Sequence, residues 1–84
     1  MNRIGLVTIL EREQINPRFY SIYGLTEPPI DEQGVLGREG DKWVVYYFER
    51  GERSGLRVFD TEDQACRYFR DWVLSVPGLR LKGK

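Results

Sequence analysis

Apolar residues recur at helical spacing near the N-terminus and predict a helix from about Arg3 to Gln14. Asn2 precedes this segment and can accept a backbone N–H as its N-cap. The helix is expected to end before Asn16-Pro17, because the residue before a proline is disfavoured in helical dihedrals. The residues that form its apolar stripe are Ile4, Leu6, Val7 and Leu10.

A second and stronger helical pattern follows Asp60 and ends at Pro77-Gly78. Thr61 and Gln64 stand three residues apart, as the two members of a capping box do, so the helix is expected to begin there. Its apolar face consists of Ala65, Cys66, Phe69, Trp72, Val73 and Val76. The residues after Pro77 form a basic tail that includes Arg80, Lys82 and Lys84.

Aromatic and β-branched residues between the two helices predict β-strands. The predicted strands are Phe19–Leu25, Val35–Arg38, Trp43–Glu49 and Leu56–Phe59. The turns between the last three strands are expected at Glu39–Asp41 and Arg50–Gly55. Because short connections usually join neighbouring strands, the pattern favours an antiparallel meander.

The predicted fold is therefore α+β: a helix, an antiparallel three- to four-stranded meander and a helix, with both helices packed on one face of the sheet. We expect a single domain over residues 1–84, with an ordered core of about 2–76 and a tail of 77–84. On the strongest strand, Trp43, Val45 and Tyr47 are expected to face the helices. The alternate residues, including Val44, Tyr46 and Phe48, then point away from them.

Composition excludes several kinds of chemistry. The 84 residues carry 13 Lys and Arg, 13 Asp and Glu, no histidine and one cysteine, so the net charge is zero. Without histidine the chain lacks the commonest general base and zinc ligand, and Cys66 lies on a predicted apolar helix face. We therefore expect no enzyme, no metal site and no cofactor. The short apolar stretch Ile4–Leu10 predicts no membrane segment, and the lack of a disulfide pair fits a cytoplasmic protein.

Three groups of residues are candidates for binding a partner. The loop Thr26–Gly34 is the most acidic part of the chain, and its carboxylates are Glu27, Asp31 and Glu32. The aromatic candidates on the open sheet face are Tyr46 and Phe48. The basic candidates around the last hairpin turn are Arg50, Arg53 and Arg57, which could clamp an acidic partner or could simply be a solvated hairpin tip.

Three segments carry a resemblance to known proteins. They are Asn16-Pro17-x-Phe19-Tyr20-Ser21, then Lys42-Trp43-x-Val45-Tyr46-Tyr47-x-Glu49-Arg50-Gly51, then Phe59-Asp60-x-Glu62-x-x-Ala65-Cys66-x-Tyr68. In these segments the chain resembles small bacterial immunity proteins of polymorphic or contact-dependent growth inhibition toxin systems. The resemblance implies a cytoplasmic, non-enzymatic protein that binds and neutralises a cognate toxin domain. It names no binding residues that can be transferred by position.

Two hypotheses for the partner remain open at this point. If the toxin is a basic nuclease, the acidic loop is the better contact, because it could occupy a phosphate-binding surface. The alternative is a small regulatory or RNA-binding module that uses Tyr46 and Phe48, although a net charge of zero makes nucleic acid an unfavourable partner. The oligomeric state is not indicated by the sequence.

Overall fold

A computed structural model describes residues 1–81, which form two α-helices and one four-stranded sheet. The helices are α1, Arg3–Arg12, and α2, Glu62–Ser75; the strands are β1, Tyr20–Ile22, β2, Gln33–Glu39, β3, Lys42–Glu49, and β4, Glu52–Phe59. A short 3-10 helix, Pro17–Phe19, precedes β1. The strands lie in the order β1-β2-β3-β4, and both helices contribute to one core on the same side of the sheet. The predicted α+β class is confirmed.

The hydrophobic core lies between the helices and the sheet. As predicted, Trp43 and Val45 of β3 belong to it, and the ring of Tyr47 lies 6.3 Å from that of Phe19. The other buried members are Leu6, Leu10, Ile15, Tyr20, Ile22, Leu36, Ala65, Cys66, Phe69 and Val73. Burial raises the pKa of the Cys66 thiol to about 11, so this cysteine is a packed, protonated side chain.

The prediction that every strand is antiparallel is wrong for β1. This strand pairs with β2 in parallel, with Tyr20 opposite Gly34 and Ile22 opposite Leu36. The connection of residues 23–32 is long enough to return along the sheet, so both strands can run in the same direction. The strand is also shorter than predicted, because the N–H groups of Leu25 and Thr26 turn back to the carbonyl of Ile22.

The β3–β4 hairpin has a shorter turn than predicted and an irregular second strand. Its turn residues, Arg50 and Gly51, both have positive φ, as a type I′ turn requires, so β4 begins at Glu52 rather than Leu56. The pairing register shifts within β4, where Gly55 has a φ of 67°. This β-bulge changes which face the later β4 side chains occupy.

Residues after α2 dock against the end of α1. The helix α1 ends before Gln14, whose φ of 59° is left-handed. The Asn16 N–H then donates to the carbonyl of Leu79 at 2.8 Å, and Arg80 Nη2 lies 2.9 Å from Glu13 Oε1. The predicted basic tail is therefore tied to the domain as far as its first residues. The tail lysines Lys82 and Lys84 lie outside the described residues.

A close approach between α2 and β2 depends on one glycine. The indole of Trp72 packs over Gly34, where an added β-carbon would lie 3.0 Å from Trp72 Cζ3 and 3.3 Å from Phe19 Cε2. Both neighbours are ring atoms held by other aromatic contacts, since Trp72 also packs against Phe69 at a centroid distance of 5.7 Å. Any side chain at position 34 would therefore push α2 away from the sheet.

We expect Gly34→Ala to lower the free energy of unfolding by about 1–3 kcal/mol, the usual cost of overpacking a core. Urea denaturation measures this change. The matched control is Gly37→Ala on the same strand, whose β-carbon would meet Val44 Cγ2 at 3.4 Å and Val35 Cγ1 at 4.0 Å, both ordinary contact distances. The control should change stability by no more than about 0.5 kcal/mol. Equal effects from the two variants would contradict the close-packing argument.

Arg3 joins α1, α2 and the sheet. The backbone N–H of Arg3 donates to Glu62 Oε2 at 2.8 Å, and Arg3 Nε donates to the same oxygen at 2.9 Å. Arg3 Nη1 donates to the carbonyl of Tyr23. The guanidinium also lies 5.1 Å from the ring centroid of Trp43, while Arg38 lies 5.0 Å from the same ring. The hydrogen bonds from Arg3 lower the pKa of the Glu62 carboxyl below its ordinary value.

The lowered pKa of Glu62 predicts a loss of stability in acid. The carboxylate stabilises the fold fully above its ordinary pKa of 4.5, and this contribution disappears as the pH falls through the lower folded pKa. Because both side chains are about a quarter exposed, we expect a contribution of about 1 kcal/mol. Thermal unfolding of wild-type and Glu62→Gln protein between pH values of about 6 and about 3 measures it.

The wild-type midpoint should fall more steeply with acid than that of Glu62→Gln. Glu11→Gln is the control, since Glu11 is exposed and its side chain makes no hydrogen bond within residues 1–81. The unfolding midpoint of Glu11→Gln should fall with acid as the wild-type midpoint does. Parallel acid profiles for wild type and Glu62→Gln would show that the Arg3 contacts carry no net stability.

Candidate functional site

The sheet face opposite the helices carries a groove of about 380 Å³. Its floor is formed by Val35 and Val44, which are only 2% exposed although neither α1 nor α2 covers this face. Val44 faces away from the helices, as predicted, but it is buried rather than open to solvent. Because so little of either valine is accessible, the contacts offered to a partner come mainly from the walls of the groove.

One wall of the groove is the loop that follows β1. Ser21 lies between two core-facing residues, so its side chain points to the open face, where its Oγ donates to the carbonyl of Glu27 at 3.0 Å. The hydroxyl of Thr26 accepts the N–H of Ile22 at 2.9 Å, which closes the outer edge of β1. These bonds hold residues 26–29 beside the sheet. Ser21 was missed as a site residue because an isolated serine in a strand gives no signal.

The opposite wall consists of aromatic and charged side chains from β3 and β4. The rings of Tyr46 and Phe48 meet edge to face at a centroid distance of 6.4 Å, as their alternate positions on β3 allow. The Arg53 guanidinium stacks on Tyr46 at 4.8 Å and pairs with Glu39 of β2. The hydrogen bond to Glu39 raises the pKa of Arg53, so the guanidinium is charged. The carboxylate of Glu39 compensates most of that charge.

The structure brings together four of the eight predicted binding residues. Those on the open face are Glu27, Tyr46, Phe48 and Arg53. Asp31, Glu32 and Arg50 lie at one end of the sheet, where Asp31 Oδ1 accepts the backbone N–H of Arg50 at 2.7 Å. The Glu32 N–H donates to the carbonyl of Phe48 at 2.8 Å. The acidic loop is thereby anchored to the β3–β4 hairpin at this end.

The three arginines of the hairpin do not gather into one cluster. Arg53 is opposite Phe48 and lies on the open face, whereas Arg57 is opposite Val45 and lies on the face that carries the helices. The β-bulge at Gly55 separates them, because one extra residue in a strand reverses the alternation of faces. No clamp of three arginines therefore forms around this turn.

Within residues 1–81, no group of three or more Asp, Glu, Cys or His side chains is placed to hold a metal ion. Over the same residues, no helix is both long and apolar enough to cross a membrane.

Comparison of the chain with protein-family models, curated proteins and solved structures gave no significant match. The function is therefore inferred from the groove, from the charges around it and from the sequence resemblance described above.

Arg50 offers a test of the hairpin that presents these residues. Its φ of 54° is left-handed, a conformation that costs an ordinary residue free energy and that asparagine tolerates better. We expect Arg50→Asn to raise the free energy of unfolding by about 0.5–1 kcal/mol, measured by urea denaturation. Arg50→Ala is the control, since it removes the same charge but keeps a strained β-carbon. A gain of equal size in both variants would attribute the effect to charge rather than to the turn.

Proposed function

We propose that this protein is an immunity protein, a non-enzymatic inhibitor that binds a cognate toxin domain through its open sheet face. The observation that carries the proposal is the groove with an apolar floor of Val35 and Val44 and a wall that includes Tyr46 and Arg53. Aromatic residues and arginines beside a desolvated pocket are typical of the residues that dominate protein–protein binding. The sequence resemblance supplies the class of partner.

The size of the surface is compatible with this role. A stable protein–protein interface takes about 800 Å² from each partner, and the described residues expose 5497 Å² in total. The groove alone is smaller than such an interface, so the surrounding face, including Phe48 and the loop wall, would be covered as well. An element of the toxin would then enter the groove while its flanks contact the rim.

The charges around the groove favour a basic toxin surface. Of the two arginines that line the groove, Arg53 is paired with Glu39, and Arg38 donates from its Nε to the carbonyl of Gly40. By contrast, Glu27, Asp31 and Glu32 form no ion pair within residues 1–81. These carboxylates, of which Glu27 lines the groove and the other two lie at one end of the sheet, attract a positively charged partner and speed its association. A nuclease, whose substrate-binding surface is positive, fits this requirement, and the cytoplasm is where such a toxin would have to be inhibited.

The RNA-binding alternative lacks comparable support. One face of the Tyr46 ring is already stacked by the Arg53 guanidinium, and its edge is packed against Phe48. Base stacking needs a free ring face beside a positively charged groove. Here the charged residues that line the groove are two carboxylates and two arginines, so its charges balance and it is not positive overall; they are Glu27, Glu39, Arg38 and Arg53.

The proposal is tested by co-expression with the toxin domain encoded beside the gene. We expect the wild-type protein to restore growth and Tyr46→Ala to weaken toxin binding by about 10- to 100-fold, as measured by calorimetry, because an aromatic anchor is lost. Converting the loop carboxylates to amides with Glu27→Gln, Asp31→Asn and Glu32→Gln should slow association and reduce its salt dependence. Asp31→Asn keeps an oxygen that can accept the Arg50 N–H.

Ile4→Ala is the matched control, because Ile4 is an exposed apolar residue of α1 outside the groove. It should protect as well as the wild type. Failure of the wild-type protein to bind or neutralise the toxin would refute the immunity function. Normal protection by a folded Tyr46→Ala variant would refute the use of this face.

A further inference from the structure

A second cleft lies on the other face of the sheet, between α2 and β4, and has a volume of about 220 Å³. The side chains and the glycine that border its mouth are Tyr47, Ser54, Gly55, Arg57, Tyr68 and Trp72. The β-bulge contributes to this cleft, because Gly55 has no side chain and a β-carbon there would have no neighbour within 4 Å. The proposed toxin-binding groove is on the opposite face, and Tyr46 is the one residue shared by the two linings.

The polar groups of the cleft can all donate hydrogen bonds, and one of them is a cation. Arg57 is the one charged residue among those that line it, and within residues 1–81 no carboxylate pairs with this arginine. Its Nε reaches the hydroxyl of Tyr68 at 3.4 Å, a long contact that an ionised acceptor would replace. The Ser54 hydroxyl lines the same cleft. The cleft therefore presents a cation beside hydroxyl and aromatic groups to an incoming anion.

The charges around the cleft indicate where an anion would bind. Burial raises the pKa of the Tyr47 phenol, and the nearby carboxylates of Glu49, Glu32 and Asp31 raise it further. That end of the cleft is therefore unfavourable for a negative group. The other end, where Arg57 Nε meets the Tyr68 hydroxyl, carries the cation and is the more favourable place for a negative group.

The volume of the cleft favours a single side chain as the group that carries the anion. Pockets for cofactors and small ligands usually measure about 300–1,000 Å³, so about 220 Å³ is small for them and suits one side chain. The cleft is also accessible, since Arg57 is exposed and Tyr68 is 37% exposed. A protein partner can therefore insert one side chain without any rearrangement of α2.

We propose that this cleft receives the carboxylate of an acidic side chain from a protein partner. The carboxylate pairs with the Arg57 guanidinium and accepts the hydroxyl of Tyr68, while the methylene groups of the side chain lie against Trp72. The partner that presents the side chain contacts the cleft over the exposed strand β4. This inference does not depend on the immunity function, because it concerns a different face and a partner of opposite charge.

The test uses two capped tripeptides, N-acetyl-Ala-Glu-Ala-amide and its glutamine counterpart, titrated into isotope-labelled full-length protein at low ionic strength and followed by NMR. We expect the glutamate peptide to shift the Trp72 indole N–H in a saturable way with a dissociation constant in the millimolar range, while the Trp43 indole stays unchanged. Arg57→Gln should weaken binding by about tenfold or more, because a charge-assisted bond is lost. Tyr68→Phe should weaken it by about threefold.

Arg12→Gln is the control for charge, since Arg12 is an exposed arginine of α1 outside this cleft. It should bind the glutamate peptide as the wild type does. Equal binding of the glutamine peptide, or unchanged binding by Arg57→Gln, would overturn the proposal. So would saturation of the cleft by inorganic phosphate without competition from the glutamate peptide. None of these outcomes bears on protection against a toxin, so the two proposals fail separately.

Discussion

The two faces of the sheet differ because β1 pairs with β2 in parallel. Because both strands run in the same direction, the chain must return along the sheet between them, and residues 23–32 do so beside the face that the helices leave open. Ser21 and Thr26 hold this return segment by hydrogen bonds at 3.0 Å and 2.9 Å. The same bonds close the edge of β1 and form one wall of the groove. The protected edge and the proposed binding surface therefore depend on the same two hydrogen bonds.

The helix-covered face depends on close packing instead. Trp72 can lie against β2 because Gly34 leaves room for its ring, and Arg3 ties both helices to the sheet through Glu62. These contacts hold α2 over β2 and β3, and its outer side borders a cleft with the edge strand β4. Packing that stabilises the core therefore also determines where a second accessible surface exists.

Much of the architecture could be predicted from local sequence patterns. The capping box at Thr61 and Gln64 is present, and the alternation along β3 correctly assigns Trp43 and Val45 to the core. Such features depend on residues close in sequence, whose periodicity and capping preferences act within one element. The candidate aromatic pair, Tyr46 and Phe48, follows from the same alternation, since it occupies the face opposite the core.

The sequence by itself determined the number and type of the main elements, the core faces of β3 and α2, and an overall charge of zero that conceals separated regions. Only the tertiary structure decided the direction of β1, the β-bulge at Gly55 and the division of Arg53 and Arg57 between two faces. The physical reason is that strand direction and register depend on contacts between distant segments and on small differences in backbone geometry. Hydrophobic alternation specifies the faces of a strand but not its neighbour or its direction.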